Sequence, residues 1–353
     1  FDDVMAIQAS VARTVARIVQ AKLTDQDEEQ LKRVLDIRPK TFESYLRAMF
    51  QYRKETQEGY QRGIEILEDA LANDPTSALA YAALAQGYME LVHSVLPKME
   101  AISRARAAIE KAIELDPTLA EAHMALGLHQ LYGDWDISAA GVSLKRAMEL
   151  NPSLADAWYH WAWWLELTGD DEEAIAAGEK TVELSPLHSF YIAWLADQYR
   201  DVGNYEKAIE LAESVIALSP GFPVAWLVLG GVYGEQGRFD EAIAAHEHLA
   251  GMPYWEYALG QTYAWAGQPE KALEIAQGYE REPSKGIALA IIYAALGDVD
   301  KTLYWSKHAR ENRFPWALGL FSYFTATRSM LENPRIQTEA ELYPVPLVPY
   351  PKD

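Results

Sequence analysis

Apolar residues recur in this chain at the spacing of one helix face. Trp226, Leu229 and Tyr233 stand at positions i, i+3 and i+7, so they form one apolar stripe on an α-helix. Gly237 follows the stripe, and a second apolar run begins after it. The pattern predicts two antiparallel helices joined by a turn at Gly237. Because such a pair cannot bury its apolar face alone, it needs neighbours of the same kind.

The same pattern recurs along most of the chain. Prolines end successive segments at intervals of 42, 35, 34, 34 and 33 residues, at Pro75, Pro117, Pro152, Pro186, Pro220 and Pro253. Candidate turn glycines follow the same period, at Gly133, Gly169, Gly203, Gly237, Gly267 and Gly297. The chain is therefore predicted to be all-α, with an array of helix pairs over residues 39–332. The longer first interval predicts a longer loop or longer helices in that repeat.

The two ends of the chain differ from the array. Residues 2–23 and 25–36 predict two helices in an N-terminal segment, 1–38. Residues 316–332 predict a closing helix. Proline then occupies five of the last twenty positions, which predicts an extended, polyproline-II-like tail over 333–353.

The repeat resembles a known family. The spacing W-x2-L-G-x2-Y from Trp226 to Tyr233, followed by Ala242 and Pro253, resembles the tetratricopeptide repeat (TPR), whose period is about 34 residues. The resemblance implies a TPR solenoid, a right-handed superhelix of antiparallel helix pairs. It also implies a role in protein–protein interaction, through the concave surface formed by the first helix of each pair.

A narrower resemblance suggests a second function. The segments Phe1–Gln8, Glu43–Arg47, Ala120–His123 and Gly133–Asp136 are similar to the C-terminal TPR half of bacterial regulators that carry a TolB-like domain. Relatives of that kind carry an adenylate or guanylate cyclase, a protein kinase or a winged-helix domain upstream. This resemblance implies the alternative that the chain is the regulatory or sensory half of a signalling enzyme or transcription regulator, and binds a small ligand.

Charge and composition restrict the partner and the compartment. The formal net charge is −21, which argues against nucleic acid because such a partner requires a basic surface. No apolar run reaches the roughly 18–20 residues that a membrane span needs, so we expect a soluble chain without direct membrane insertion. The chain has no cysteine, which is compatible with either a cytoplasmic or a periplasmic location. Since it begins with Phe1, we interpret it as a processed protein or a piece of a longer one.

No pattern in the sequence points to catalysis. Phosphate-binding loops, zinc-protease motifs and nucleophile elbows are absent. His246 and His248 are two apart on a predicted helix, so their side chains point roughly 200° apart and do not chelate one metal ion. We therefore expect no enzyme activity, no cofactor and no metal site.

The candidate binding residues follow from the TPR resemblance, in which positions 2, 5, 9, 12 and 13 of the first helix face the groove. The predicted groove residues are Tyr159, Trp163, Glu166, Phe190, Asp197, Arg200, Tyr254, Tyr257, Gln261 and Trp265. Predicted anchors in the tail are Tyr343, Leu347 and Tyr350. The expected partner is a protein, as an extended or helical segment or as part of a larger complex. The alternative is that these aromatic residues pack between repeats. On the groove interpretation, Trp158, Trp161 and Leu165 form the core, and Trp163 lies open to a partner.

Overall fold

The computed structural model describes residues 37–54, 56–92, 98–252 and 254–347. The two predicted N-terminal helices and Tyr350 lie outside the described residues. Within the described part every regular element is a helix, which confirms the predicted all-α class. The chain divides into two compact units, Phe1–Leu154 and Ala155–Asp353, here called unit 1 and unit 2.

Unit 1 consists of consecutive antiparallel helix pairs. Its helices are α1 (Pro39–Tyr52), α2 (Gln57–Asn73), α3 (Ala78–Leu91), α4 (Lys98–Leu115), α5 (Ala120–Leu128) and α6 (Ile137–Leu150). Side chains cap the N-termini of several of these helices: Ser77 accepts a hydrogen bond from the backbone N–H of Ala80, and Asp136 accepts one from the backbone N–H of Ala139. The second helix of the long repeat, α4, has 18 residues, in agreement with the predicted lengthening.

One predicted turn in unit 1 is wrong in detail. The sequence places the turn of the 120–152 repeat at Gly133, whereas the chain continues through a π-helical turn over His129–Asp134. Trp135, with φ of 60°, adopts the left-handed conformation instead. The backbone N–H of Asp136 then donates to the carbonyl of Gln130 at 2.8 Å, which closes the wider turn.

Unit 2 continues the same architecture. Its helices are α7 (Ala155–Thr168), α8 (Asp171–Leu184), α9 (Ser189–Asp201), α10 (Tyr205–Leu218), α11 (Pro223–Glu235), α12 (Phe239–His246), α13 (Tyr257–Trp265), α14 (Pro269–Tyr279), α15 (Gly286–Ala295), α16 (Val299–Glu311), α17 (Thr325–Arg328) and α18 (Pro334–Ala340). The predicted turn glycines from Gly169 to Gly297 all have φ between 71° and 83°. Since this conformation is unstrained only for glycine, these positions end the first helix of each pair.

The region after α16 differs from the prediction. Residues 316–332 do not form one closing helix: they contain a 3₁₀ turn over Pro315–Gly319 and then the four-residue α17. The turn begins at Pro315 and ends at Gly319, where the backbone closely approaches the Trp163 side chain. A Cβ atom on Gly319 would lie 3.3 Å from the Trp163 ring, so the backbone there lies directly against α7. The segment follows a surface of unit 2 rather than a helix axis of its own.

The predicted tail is also wrong in its first part. Residues 334–340 form α18, because proline is tolerated at the first position of a helix and Asn333 accepts a hydrogen bond from the Arg335 N–H. Turns and bends follow over residues 341–345. The Tyr343 side chain is buried, and its hydroxyl donates to the Ser306 carbonyl at 2.8 Å. The predicted anchor Tyr343 therefore packs against α16 of its own unit, while Leu347 is half-buried.

Candidate polypeptide-binding groove

The first helices of unit 2, α7, α9, α11 and α13, carry most of the predicted groove residues. In the structure this face holds another part of the same chain. Residues 315–328, here called the groove segment, contact side chains on all four helices. Most of the groove segment is buried, by these four helices and by contacts with α15 and α16. We call the face of the four helices the unit-2 groove.

Aromatic side chains form one end of the contact. The Trp316 ring stacks on Trp194 with centroids 5.7 Å apart and meets the edge of Trp163 at 5.3 Å. The Tyr323 ring makes a second edge contact with Trp163 at 5.2 Å. Both geometries are those that aromatic quadrupoles favour. Trp163 is consequently only 4% exposed. The sequence-based expectation that Trp163 lies open to a partner is therefore wrong.

Hydrogen bonds from Tyr323 and Thr325 also hold the groove segment. The Tyr323 hydroxyl donates to the Asp197 carboxylate, and the Thr325 hydroxyl donates to the Glu235 carboxylate at 2.9 Å. Both acceptors have buried side chains, 1% exposed for Asp197 and 7% for Glu235. A hydrogen bond to a buried charged group contributes about 1.5–3 kcal/mol, so these two contacts hold the segment in one register.

Arg200 is at the centre of a buried charge network. Its guanidinium lies 2.8 Å from Asp197, 3.2 Å from Asp201 and 3.7 Å from Glu235. Burial alone would lower the pKa of Arg200, but the three carboxylates, Asp197 first, raise it above its ordinary value. Arg200 is therefore charged, and it partly neutralises the carboxylates that face the groove segment.

The carboxylates outnumber the guanidinium groups. Burial raises the pKa of Asp197 to about 7, against the lowering effect of Arg200. Burial, helped by the charge of Asp201, raises the pKa of Glu166 well above its ordinary range. The pKa of Asp201 is raised by burial, and the charges of Arg200 and Arg328 oppose that rise. The groove thus holds a cluster of buried carboxyl groups in which burial favours the protonated, neutral form and the charges of Arg200 and Arg328 favour the ionised form.

Little space remains between the groove segment and the helices. One cavity of about 30 Å³ is lined by Arg200, Glu235, His246, Tyr257 and Tyr323, among others. The His246 ring beside it is buried and bonded through both nitrogens, to the Thr262 hydroxyl and the Leu227 carbonyl. Burial lowers the pKa of His246 to about 4, so this ring is neutral at physiological pH. The cavity holds no more than about two water molecules.

The contact leaves some polar groups unsatisfied. Among the described residues, the indole N–H groups of Trp163 and Trp194 have no hydrogen-bond partner. Both side chains are more than nine-tenths buried. A buried donor without a partner costs about 1–3 kcal/mol, so the groove segment does not meet every polar group that the groove presents.

The structure brings together five of the predicted groove residues. Trp163, Asp197, Arg200, Tyr257 and Gln261 contact the groove segment or line the cavity beside it. Their assignment to a partner protein stays a prediction, as does that of the others.

The remaining predicted residues lie beside or away from this contact. Tyr159 and Phe190 make an edge contact at 5.1 Å next to Trp194, and Glu166 lies near Asp197 and Asp201. Tyr254 is 54% exposed and lies under the Lys285 ammonium at 4.7 Å. The Trp265 ring packs against Gly234, where a Cβ atom added to the glycine would lie 3.5 Å from the ring.

Sequence reasoning missed the other half of the contact. Trp194, Glu235, Trp316, Tyr323 and Thr325 were not among the predicted site residues, although they form its main contacts. One signal was present in the sequence. Residues 312–331 contain no aspartate or glutamate and two arginines, in a chain with 52 acidic residues. A stretch of that composition is suited to an acidic surface.

The predicted inter-repeat core is present on the other side of α7. Trp158 and Trp161 pack against a buried cluster that contains Leu165, and Trp161 stacks on Trp164 with centroids 4.6 Å apart. The tryptophans of α7 therefore divide between a core face and the groove face.

The comparisons with known proteins concern the repeat. The sequence profile described as tetratricopeptide repeat matches residues 199–250, which run from the end of α9 through α10, α11 and α12. The described chain is an all-α TPR solenoid. No curated protein sequence matches the chain.

Solved structures with a similar fold include several TPR proteins. The APC/C hetero-tetramer Cut9–Hcn1 superimposes with a TM-score of 0.55 at 17% identity, over 80% of this chain and 52% of that chain. Yeast Tom70 gives a TM-score of 0.49 at 14% identity, over 87% of this chain and 68% of its own. Pseudomonas aeruginosa PilF gives 0.46 at 19% identity, over 60% and 93%. This chain thus spans about half the length of the Cut9–Hcn1 chain, and at these identities the likeness concerns the fold alone. The resemblance to TolB-like regulators finds no counterpart among these comparisons.

Two further findings on the described residues concern membrane-spanning helices and metal-binding clusters. None of the described helices is long and apolar enough to cross a bilayer. No cluster of three or more histidine, aspartate or glutamate side chains suited to a metal ion occurs within the described residues.

Proposed function

We propose that this chain is a non-catalytic protein-interaction scaffold or accessory subunit, and that the unit-2 groove is its polypeptide-binding surface. The observation that carries the proposal is the groove segment itself. A polypeptide with aromatic, hydroxyl and cationic side chains is bound there by stacking, by hydrogen bonds to Asp197 and Glu235 and by the attraction between Arg328 and Asp201. A surface that binds such a segment of its own chain has the chemistry to bind a similar segment of another protein.

The size of the cavity argues against the alternative of a small-ligand sensor in this groove. Sites for small organic ligands have volumes of about 300–1,000 Å³ and enclose most of the ligand. The cavity beside the groove segment is about 30 Å³. A wider cleft of about 480 Å³ lies on unit 1, but its apolar residues Leu46 and Phe50 are 44% and 63% exposed. A ligand there would remain largely in water.

The charge of the chain supports a protein partner over nucleic acid. The net charge is −21, and the carboxyl groups of the groove are part of that acidic excess. Phosphate groups would be repelled by this surface, whereas a cationic and aromatic polypeptide segment would be attracted. The tail residues Leu347 and Tyr350 remain candidates for a second partner contact, next to the packed Tyr343.

The experiment is native purification of the full chain, followed by chemical cross-linking and mass spectrometry. We expect a partner protein in fixed stoichiometry, with cross-links to residues on α7, α9, α11 or α13. A chain that stays alone under these conditions contradicts the scaffold proposal. Cross-links confined to unit 1 contradict the choice of groove. Turnover of a nucleotide, ester or peptide that a single substitution in the chain abolishes contradicts the non-catalytic role.

A further inference from the structure

The groove segment has the composition of a ligand for the surface that it covers. The groove segment, residues 315–328, carries Arg328 and no acidic side chain, and the surrounding stretch 312–331 adds Arg313 and again no acidic residue, while the chain as a whole has a net charge of −21. Its aromatic residues Trp316 and Tyr323 meet the aromatic end of the groove, and its Arg328 faces the acidic end through Asp201. The segment and the groove therefore match in both apolar and charged groups.

The groove keeps binding capacity that the segment does not use. The indole N–H groups of Trp163 and Trp194 are buried without a partner among the described residues. Asp197, Asp201 and Glu235 share the guanidinium of Arg200, so a ligand with more cationic groups would neutralise them further. A polypeptide that supplied an acceptor for the indoles and an added cation would therefore compete with the groove segment.

We infer that the groove segment is an intramolecular competitor, and that the partner of this chain presents to the unit-2 groove an acid-free, aromatic and cationic polypeptide segment of the same kind. This inference rests on the proposed function and specifies its partner. Binding in trans must displace the segment, so the apparent affinity of the resting chain is reduced by the small fraction of molecules in which the groove is open. The covalent link gives the segment a high effective concentration, which makes the groove selective for partners that bind better than the segment does.

The first experiment uses a fluorescent synthetic peptide of residues 312–331 as the probe, and the full chain as the receptor. The parent chain is compared with the double variant Trp316→Ala, Tyr323→Ala, which weakens the segment in cis and leaves the groove residues intact. We expect the variant to bind the peptide at least tenfold more tightly than the parent chain does. A peptide with the same residues in permuted order, and one with Arg328→Glu, serve as controls and should bind at least tenfold more weakly.

Equal affinity of parent and variant would overturn the competitor role. Equal affinity for the ordered and permuted peptides would overturn the specificity. If the double variant does not fold, as judged by its helical circular dichroism, the parent chain is tested with a photoreactive group in place of Tyr323 in the peptide. Cross-links to α7 or α9 then support the inference, and cross-links only elsewhere overturn it.

The two proposals fail in different ways. A partner that cross-links to the groove in native purification, combined with no peptide binding, contradicts only the kind of partner inferred here. Peptide binding without any partner in native purification contradicts the proposed function and leaves the intramolecular competition in place.

Discussion

Replacement of Trp163 by alanine is the sharpest test of how unit 2 is built. The sequence alone suggested that Trp163→Ala would leave the fold intact, because the residue was expected in an open groove. In the structure the side chain is 4% exposed and lies between Trp316 and Tyr323. Replacement of Trp163 by alanine therefore removes buried apolar contacts and the ring on which Trp316 and Tyr323 of the groove segment pack.

The expected loss can be estimated from this burial. Truncation of a buried tryptophan to alanine costs about 3–5 kcal/mol, which includes the cavity left behind. For a unit of this size, each kcal/mol lowers the melting temperature by about 2–4 °C. We therefore expect Trp163→Ala to lower the melting temperature of unit 2 by roughly 6–20 °C. The matched control is Tyr304→Ala, since that ring is 63% exposed and its loss should change stability by less than about 0.5 kcal/mol.

The assay combines a thermal melt with hydrogen exchange at residues 315–328. We expect exchange in the groove segment to rise more than exchange in α10 or α14, because the lost contacts lie between the segment and α7. A melting temperature within 2 °C of the parent value, with unchanged exchange in the segment, would refute the reasoning. That result would place Trp163 in an open groove, as the sequence suggested.

Other predictions address charge, backbone and tail. The folded-state pKa of Asp197, about 7, is above its ordinary value of 3.8, so the folded state binds more protons than the unfolded state. The contribution of Asp197 to stability is therefore greatest below about pH 4 and is lost as the pH rises to about 7. Asp197→Asn should reduce that fall, by at most about 3 kcal/mol between pH 5 and pH 8, as measured by urea titrations at the two pH values. Gly237→Ala should destabilise unit 2 by about 1–2 kcal/mol, because the φ angle of Gly237 is 73° and strains any residue with a Cβ atom. The control Gly278→Ala, on α14 with open space around the added Cβ, should stabilise unit 2 by about 0.5–1 kcal/mol. Equal effects of the two substitutions in thermal melts would contradict this prediction. Tyr343→Ala should cost about 3–5 kcal/mol in the same melts, and no loss would show that the tail does not belong to the core of unit 2.

Much of the fold could be predicted from the sequence because its signals are local. The stripe of Trp226, Leu229 and Tyr233 and the recurrence of proline predicted the helix pairs, and glycines such as Gly203 and Gly237 marked their turns. Each of these signals depends on residues a few positions apart, since helix periodicity and a positive φ are properties of a short stretch. The exception, Gly133, failed because a neighbouring residue, Trp135, took the left-handed conformation instead.

The tertiary structure decided what covers the groove. The contact between Tyr323 and Asp197 joins residues 126 positions apart, and no period along the chain relates them. The segment after α16 lacks a strong helix pattern, so its path depends on the surface that it meets: the tryptophans of α7 and α9 and the carboxylates around Arg200. Periodicity therefore determined which residues line the first helices, and the fit of ring shape and charge in three dimensions determined which of them are buried by the chain itself.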